Sequence, residues 1–498
     1  MATPLERYVS ETNSVNAAMI SYVANLEQVQ AVCPDVAARI VRELETQRAH
    51  LKLIASENYC SLAVQAAMGN LLTDKYAEGY PEHRYYGGCE NIDAIEAEAA
   101  REAMQLFGAE HAYVQPHSGA DANLVAFWAI LSHRIELPEL TALGIKSAAD
   151  LTDAQWQHLR TKLGNQKLLG LDYYSGGHLT HGYRLNVSAK MFESHSYTVD
   201  RETGLLDYDA IEKQAMAIRP LILLAGYSAY PRKINFRRFR EIADMCGAVL
   251  MVDMAHFAGL VAGKVFTDEY DPVKWADIVT TTTHKTLRGP RGALILCKSE
   301  FADAVNKGCP MVLGGPLNHI IAAKAVAFKE AGSEAYRRYA AAVQKNAAAL
   351  AAACIKRGMT LQTGGTDNHL LLIDVTTYGL TGKQAEAALF QCGVTLNANA
   401  LPFDKNGPWW TSGIRVGTPG VTTLGMDEND MEEIAAIIDI VLRGTTPGTT
   451  KDGAPAKGKF ILDEQAAREG RERVKRLLAN HVLYPELDMA FLKQAFMQ

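Results

Sequence analysis

Short apolar runs rich in β-branched residues recur through the middle of the chain, and stretches with helical spacing separate them. The runs lie at 112–114, 221–224, 248–252, 277–282 and 293–297. Regular alternation of strands and helices is typical of an α/β protein with crossover connections. Because the runs are almost uniformly apolar, we expect mostly parallel strands covered by helices on both faces.

The pattern changes on either side of this α/β region. It predicts a polar helical segment at the N-terminus and, after a long Ala-rich helix from about 330 to 357, a mixture of strands and helices. We therefore predict three units: a helical arm over 1–60, a large α/β domain over 61–330 and a small α+β domain over 331–498. A surface insertion is predicted at 133–168, and the Gly, Pro and Thr content of 444–459 predicts a flexible linker.

Composition narrows the class of protein. The chain has 498 residues, of which 48% are hydrophobic and 21% are charged, as in a globular protein of two or three domains. The net charge of -6, without a long run of one sign, argues against nucleic-acid binding. We predict a cytoplasmic protein without a membrane partner, since there is neither a signal-peptide pattern nor an apolar stretch of ~20 residues. The eight cysteines lack zinc-ligand spacing, so we expect free thiols and no metal.

The residues that carry chemistry follow two of the predicted strands. Asp253 and His256 come at the end of one strand, and the next strand ends in Thr282, followed by His284 and Lys285. In a parallel sheet, ligands bind beyond the carboxyl ends of the strands. We therefore expect these side chains to surround one crevice.

This combination suits pyridoxal 5'-phosphate. Lys285 would hold the cofactor as a Schiff base, and Asp253 would keep the pyridine nitrogen protonated, which makes the ring an electron sink. His256 and Thr282 are placed to bond near the phenolic oxygen of the cofactor or to support the aspartate.

Phosphate and carboxylate groups need their own donors. Ser118, Gly119 and Ala120 stand between a predicted strand and a helix, where backbone N–H groups can bind a phosphate. An ordinary helix cap by Ser118 explains that turn equally well. Gly314 and Gly315 would add donors across a dimer interface. Arg415, flanked by small and apolar residues, would bind the carboxylate of an amino acid.

Six longer motifs carry a family resemblance. They lie at 53–59, 75–81, 84–90, 176–182, 252–256 and 280–286. Through them the chain resembles the serine hydroxymethyltransferases, a family of fold-type-I pyridoxal-phosphate transferases. The resemblance implies reversible interconversion of serine and glycine, with tetrahydrofolate as one-carbon acceptor, through a cofactor aldimine and retro-aldol cleavage.

The resemblance also implies roles for individual residues. His178 would stack on the cofactor ring, Ser228 would hold ring substituents and His284 would influence reaction specificity beside Lys285. The implied groups at the substrate are Glu78 as acid/base, Tyr76 and Tyr86 from a partner subunit, and Ser56 at the carboxylate. The implied folate site comprises Gly177, His178, Leu179 and Asn399. A homodimer with shared active sites follows, and a tetramer stays open.

Two departures from the family pattern keep alternatives open. Tyr173 stands where a leucine usually packs against folate, and Ala120 lacks the hydroxyl that is common in the phosphate loop. They leave room for a folate-independent 3-hydroxyamino-acid aldolase or an amino-acid racemase on the same cofactor site. A non-catalytic cofactor-binding or RNA-binding protein is a third reading, which the intact Asp253, Lys285 and Arg415 disfavour.

Overall fold

A seven-stranded sheet forms the centre of the large domain in this computed structural model, which describes residues 2–11 and 16–497. Met1, residues 12–15 and Gln498, which belong to the predicted arm and small domain, lie outside the described residues. In spatial order the strands are His111–Tyr113, Ala293–Cys297, Ile278–Thr282, Val249–Asp253, Ile222–Gly226, Lys167–Leu171 and Glu193–Tyr197.

Most of these strands are parallel, as the alternating pattern predicts. The exception is Ala293–Cys297, which runs antiparallel to both of its neighbours. A parallel pair needs a crossover of about a dozen residues or more, usually a helix, whereas the connection after Ile278–Thr282 is short and carries no helix. The prediction of a parallel strand at this position was therefore wrong.

Helices cover both faces of the sheet. Alternate residues of the strand Val249–Asp253 pack into apolar clusters on opposite faces of the sheet. Leu250 and Val252 belong to one cluster, and Val249 and Met251 belong to the other. The uniform apolar character of the strands follows from this double burial. The helices of seven residues or more are Pro4–Glu11, Ala17–Val32, Pro34–Ala49, Leu62–Met68, Glu90–Phe107, Gly119–Leu131, Leu137–Leu143, Asp153–Gly164, Tyr208–Ile218, Phe236–Cys246, Asn318–Ala331, Glu334–Lys356, Gly382–Gln391, Glu428–Arg443, Glu464–Ala479 and Met489–Phe496.

A second, four-stranded antiparallel sheet forms the smaller unit. Its spatial order is Thr360–Leu361, Leu370–Asp374, Gly413–Gly417 and Asn397–Asn399. The end of the predicted arm joins this unit, because Leu51–Lys52 pairs in parallel with Val394–Thr395. The domain boundaries at 60 and 330 stay predictions.

Residues near the two ends of the chain pack together. The N-terminal helices share one apolar cluster with the C-terminal residues Leu483, Leu487 and Phe491. The Arg48 guanidinium strengthens this contact by donating to the carbonyls of Leu483 and Leu487 at 2.8 and 2.9 Å.

The predicted flexible linker is instead an antiparallel strand pair, Thr445–Thr449 with Pro455–Leu462. The amide of Gln384 holds it by donating to the carbonyls of Ala456 and Lys459 at 2.7 and 2.6 Å. Composition could not reveal these contacts, because they come from a helix far away in the sequence.

The predicted insertion at 133–168 lies in the connection between the helix Gly119–Leu131 and the strand Lys167–Leu171. It is largely helical and buries Leu140 and Leu159, while its last two residues already belong to the strand. Its status as an insertion stays a prediction. Within the described ranges, none of the helices combines the length and apolar character needed to cross a membrane.

Candidate active site

The carboxyl ends of neighbouring strands bring the predicted residues together. Asp253 ends one strand and Thr282 ends the next, and the loop that follows carries His284 and Lys285. Burial lowers the pKa of the Lys285 amine to about 8, although the Asp253 carboxylate partly offsets this effect. A larger share of Lys285 is therefore neutral at physiological pH than in water, as a lysine nucleophile requires.

Three donors hold the Asp253 carboxylate. Oδ2 accepts hydrogen bonds from Asn123 Nδ2 at 2.9 Å and His181 Nε2 at 3.2 Å, and Oδ1 accepts from the Ala255 N–H at 3.0 Å. Burial alone would raise the pKa of Asp253, but the surrounding donors, His181 first and then Asn123, outweigh burial and hold this pKa well below its ordinary value. A carboxylate has roughly four acceptor positions, so one remains for the N–H of a protonated ring nitrogen.

His178 and His181 support this carboxylate from one short turn. His181 Nδ1 accepts the His178 backbone N–H at 3.3 Å, so its proton lies on the nitrogen that faces Asp253. His178 Nδ1 bonds to Thr180 Oγ1 at 2.8 Å, and burial lowers the pKa of His178 to about 4. Ligand atoms of the two histidines and Asp253 lie within 4.8 Å of one another, and hydrogen bonds engage both ring nitrogens of His181.

His256 contacts a buried histidine from the smaller unit. Its Nδ1 lies 3.3 Å from Nε2 of His369. Burial lowers the pKa of His256 well below its usual value and that of His369 to about 3, so both rings are neutral. His369 Nδ1 has no hydrogen-bond partner among the described residues, and a proton there would be costly. The favoured tautomer therefore donates from His369 to His256, which leaves His256 Nε2–H as the free donor.

The predicted phosphate loop begins the helix Gly119–Leu131. Ser118 Oγ accepts the Asp121 N–H at 3.2 Å, so Ser118 does cap this helix. A Cβ on Gly119 would lie 2.8 Å from Cγ2 of Thr282, so the loop needs a glycine to pack against the strand next to Lys285. Ala120, in the same turn, is exposed.

Arg415 lies on a strand of the smaller unit and reaches the large domain. It donates to the Ser228 carbonyl at 2.6 Å and to Asn397 Oδ1 at 3.1 Å. Burial lowers the pKa of its guanidinium to about 10, which the nearby Tyr173 phenol partly offsets. In the part of the chain that the structure describes, no acidic side chain pairs with Arg415. The segment carrying Ser56 adjoins the same strand, through a 2.8 Å bond from the Gly417 N–H to the Leu53 carbonyl.

Of the residues proposed for folate, Tyr173 and His178 line one cavity. Tyr173 packs against Tyr183 with ring centroids 5.0 Å apart. Both line a cavity of about 580 Å³ together with His178. Gly177 lies so close to the Leu171 carbonyl that a Cβ there would clash with it, and Leu179 is 40% exposed. Asn399 pairs with Gly413 at the edge of the smaller sheet.

A separate patch holds the remaining predicted residues. The rings of Tyr76 and Tyr86 lie 4.9 Å apart, and the Tyr76 ring packs against Gly315. Cys309 links this patch to the Glu78 segment, since its sulfur accepts the Gly79 N–H at 3.4 Å and contacts the Gly314 carbonyl at 3.3 Å. No hydrogen bond or ion pair within residues 2–11 and 16–497 joins this patch to Lys285.

Several residues of the site were missed in the sequence. His181 stands inside the quoted motif 176–182, and its spacing of three from His178 was a usable signal. Asn123 and Thr280 were also missed: Thr280 Oγ1 donates to Asn123 Oδ1 at 2.5 Å, which orients the amide toward Asp253. His369 carried no local signal, because its role depends on how the two units meet.

Comparison with known proteins identifies the family. The family model for serine hydroxymethyltransferase matches residues 29–143 and 146–438. The chain belongs to the serine hydroxymethyltransferase family. A serine hydroxymethyltransferase of Treponema pallidum (strain Nichols) is 66% identical over 484 residues, 97% of this chain and 84% of that protein. One from Salinispora tropica is 56% identical over 476 residues, 96% of this chain and all of that protein. One from Chlamydia trachomatis serovar D is 50% identical over 496 residues, 99% of this chain and all of that protein.

Membership in this family confirms the fold class predicted from the sequence. Serine hydroxymethyltransferases are fold-type-I, pyridoxal-phosphate-dependent transferases, and the mostly parallel central sheet with flanking helices agrees with that class. The predicted enzyme class is confirmed as well. The predicted cellular location stays a prediction.

Proposed function

We propose that this chain catalyses the reversible interconversion of serine and glycine, with tetrahydrofolate as the one-carbon acceptor. The observation that carries the proposal is the Asp253 carboxylate, which three donors hold as an anion near the partly buried Lys285. Membership in the serine hydroxymethyltransferase family supports it. That match gives no support to a folate-independent aldolase or a racemase.

The residues present fit pyridoxal 5'-phosphate. When bound, this cofactor supplies an electron sink for a carbanion at the substrate Cα. Lys285 would bind it covalently, Asp253 would face its ring nitrogen, and His178 would lie against the ring. The proposed contacts to its other substituents come from Ser118, Gly119, Ala120, Ser228, His256 and Thr282.

Arg415 and Ser56 would bind the carboxylate of the amino acid. Two of the five N–H donors of the Arg415 guanidinium are used within the chain. The other three are free to bind a carboxylate through two parallel hydrogen bonds. His284 lies next to Lys285, and burial lowers its pKa to about 3, so it would act as a neutral side chain. Tyr173, Gly177, Leu179 and Asn399 would line the folate site.

A homodimer would complete the site. Glu78 would serve as the acid/base group at the hydroxymethyl carbon, with Tyr76 and Tyr86 beside the substrate, and Gly314 and Gly315 would donate to the phosphate. All five lie in the patch that is separate from Lys285. Tyr76 is 54% exposed and Met311 nearby is 59% exposed, an apolar surface that a second subunit would cover.

The rate of glycine formation from serine, with and without tetrahydrofolate, tests the proposal. We expect a large acceleration by folate, despite Tyr173 at the folate site. A Lys285→Ala variant should lose both this activity and the visible absorbance of the bound cofactor. A wild-type rate that does not respond to folate, with cofactor absorbance intact, would contradict hydroxymethyl transfer while leaving the cofactor site in place.

A further inference from the structure

Lys324 is a buried cation outside the residues considered so far. It lies on the helix Asn318–Ala331 and is 1% exposed. Its Nζ donates to the carbonyls of Val114 at 2.5 Å, Ala293 at 2.8 Å and Pro116 at 3.0 Å. Three acceptors require three N–H groups, which only the protonated amine provides. The geometry therefore describes an ammonium ion inside the protein.

The three carbonyls belong to the segments that form the cofactor site. Val114 and Pro116 directly precede the turn at Ser118, and Ala293 follows the loop that carries Lys285. In a trans peptide the carbonyl and the next N–H point in opposite directions. The carbonyls of Val114 and Pro116 point toward Lys324. The N–H groups of the residues that follow them, Gln115 and His117, therefore point away from Lys324.

The chain makes room for this lysine at Gly292. A Cβ at that position would lie 2.6 Å from Cε of Lys324. The Gly292 N–H also approaches His284 Nδ1 at 3.4 Å, so the lysine, the glycine and the loop that carries Lys285 pack as one unit.

No carboxylate neutralises this charge directly. Lys324 forms no ion pair among the residues that the structure describes. Burial lowers its pKa to about 7, with Glu96 acting in the opposite direction, but the Glu96 carboxylate is already bound by Arg84 and Gln115. A buried cation without a counter-anion is unfavourable, and an anion at the neighbouring turn would relieve that cost.

We propose that Lys324 is a positioning residue for the phosphate group of the cofactor. Its hydrogen bonds fix the peptides that precede Ser118. Its ammonium group also provides a positive charge close to the predicted phosphate loop at Ser118, Gly119 and Ala120. The inference rests on the proposed function, because it requires pyridoxal phosphate at this site.

The test compares two ligands that differ only in the phosphate. Dissociation constants of pyridoxal phosphate and of pyridoxal are measured, by quenching of tryptophan fluorescence, for the full-length chain stripped of cofactor. The variants are Lys324→Met and Lys324→Gln. Glutamine keeps two N–H donors without the charge, so it can replace the methionine variant if that variant does not fold. Lys329→Met is the matched control, since Lys329 lies on the same helix with its side chain 74% exposed.

We expect both Lys324 variants to bind pyridoxal phosphate at least about tenfold more weakly, with pyridoxal affinity unchanged within about twofold. Lys329→Met should change neither constant. Equal weakening of both ligands would mean a purely structural lysine and would overturn the proposal, as would unchanged affinities. Wild-type protein that binds neither ligand would overturn the proposed function and this inference together, whereas tight wild-type binding with an unaffected variant would overturn this inference alone.

Discussion

Asp253 and Tyr76 belong to the same proposed site, but their surroundings in the chain differ. Asp253 is 7% exposed and is held by donors from a helix, a short turn and its own loop, whereas Tyr76 is 54% exposed and packs against Tyr86 and Gly315. The first region is organised by contacts within one chain. The second presents aromatic rings to solvent, which is typical of a surface that a partner covers. In the proposed dimer, one chain would hold the cofactor and the substrate carboxylate, and another copy would contribute Tyr76, Tyr86 and Glu78.

The sharpest test of this division mixes two inactive variants. Lys285→Met should lower the rate roughly 10⁴-fold or more, because the covalent attachment is lost, and Glu78→Gln roughly 10²- to 10⁴-fold. If the two residues act across subunits, mixed dimers keep one intact site. Random mixing should then restore about a quarter of the wild-type activity, measured as glycine formation from serine after co-refolding.

The control mixes Lys285→Met with Asp253→Asn. Both residues lie in the self-contained region, so no mixed dimer would hold an intact site and no activity should return. Recovery in this control, or its absence in the first mixture, would contradict the division.

Asp253→Asn should by itself lower kcat about 10²- to 10³-fold. An amide is neutral, so it cannot keep a ring nitrogen protonated, yet it can still bond to Asn123 and His181. Circular dichroism should therefore stay close to wild type while turnover falls. A variant that keeps more than about a tenth of the wild-type kcat would show that the charge matters little.

Capture of the cofactor by the stripped chain should depend on pH. Because burial lowers the pKa of Lys285 to about 8, the amine is mostly protonated and unreactive below that pH. The capture rate should rise almost tenfold per pH unit from pH 6 and level off above about 8, as followed by stopped-flow absorbance. Acetyl-lysine in solution should show the same rise with a midpoint near 10.4. Identical midpoints would argue that Lys285 is not the attachment point.

The same shift in pKa affects the stability of the cofactor-free chain. Between pH 8 and about 10.4 the unfolded state binds more protons at Lys285 than the folded state does. The contribution of this group to the free energy of unfolding therefore increases with pH across that window, and protonated Lys285 opposes folding below it.

Asn123→Ala and Tyr85→Ser should separate the two regions by their effect on stability. Removing the Asn123 amide leaves buried partners without a hydrogen bond, which should cost about 1–3 kcal/mol at any protein concentration. Tyr85 is 66% exposed beside Tyr86, so its loss should act mainly on association. Melting temperatures measured over a range of protein concentrations should fall uniformly for Asn123→Ala and increasingly on dilution for Tyr85→Ser. A concentration-dependent shift for Asn123→Ala would contradict this separation.

The central strands and the placement of Asp253 and Lys285 could be predicted from the sequence for one physical reason. A strand covered on both faces is apolar throughout. The first polar residues after such a strand therefore mark its carboxyl end, where ligands bind in a parallel sheet. The long helix was predicted at 330–357 and spans Glu334–Lys356, because its Ala-rich spacing is a local property.

Other features depend on contacts between distant segments. Asn123 donates a hydrogen bond to Asp253, which lies 130 positions away, so the sequence around Asn123 does not indicate its partner. The strand pair at 445–462 has the composition of a linker and is ordered by Gln384. The direction of Ala293–Cys297 follows from the length of the loop before it, a signal that was present in the sequence but weaker than the general alternation.

The contact between Arg48 and the carbonyls near residue 483 has a consequence for synthesis of the chain. Arg48 and its partner Leu483 are separated by 435 positions, so all the residues between them must leave the ribosome before the helix of Arg48 can complete its packing. The helices before residue 50 are thus completely buried only after the C-terminal residues have been made. Until then the apolar side chains of Met19, Val23 and Val41 lack the cover of the C-terminal residues.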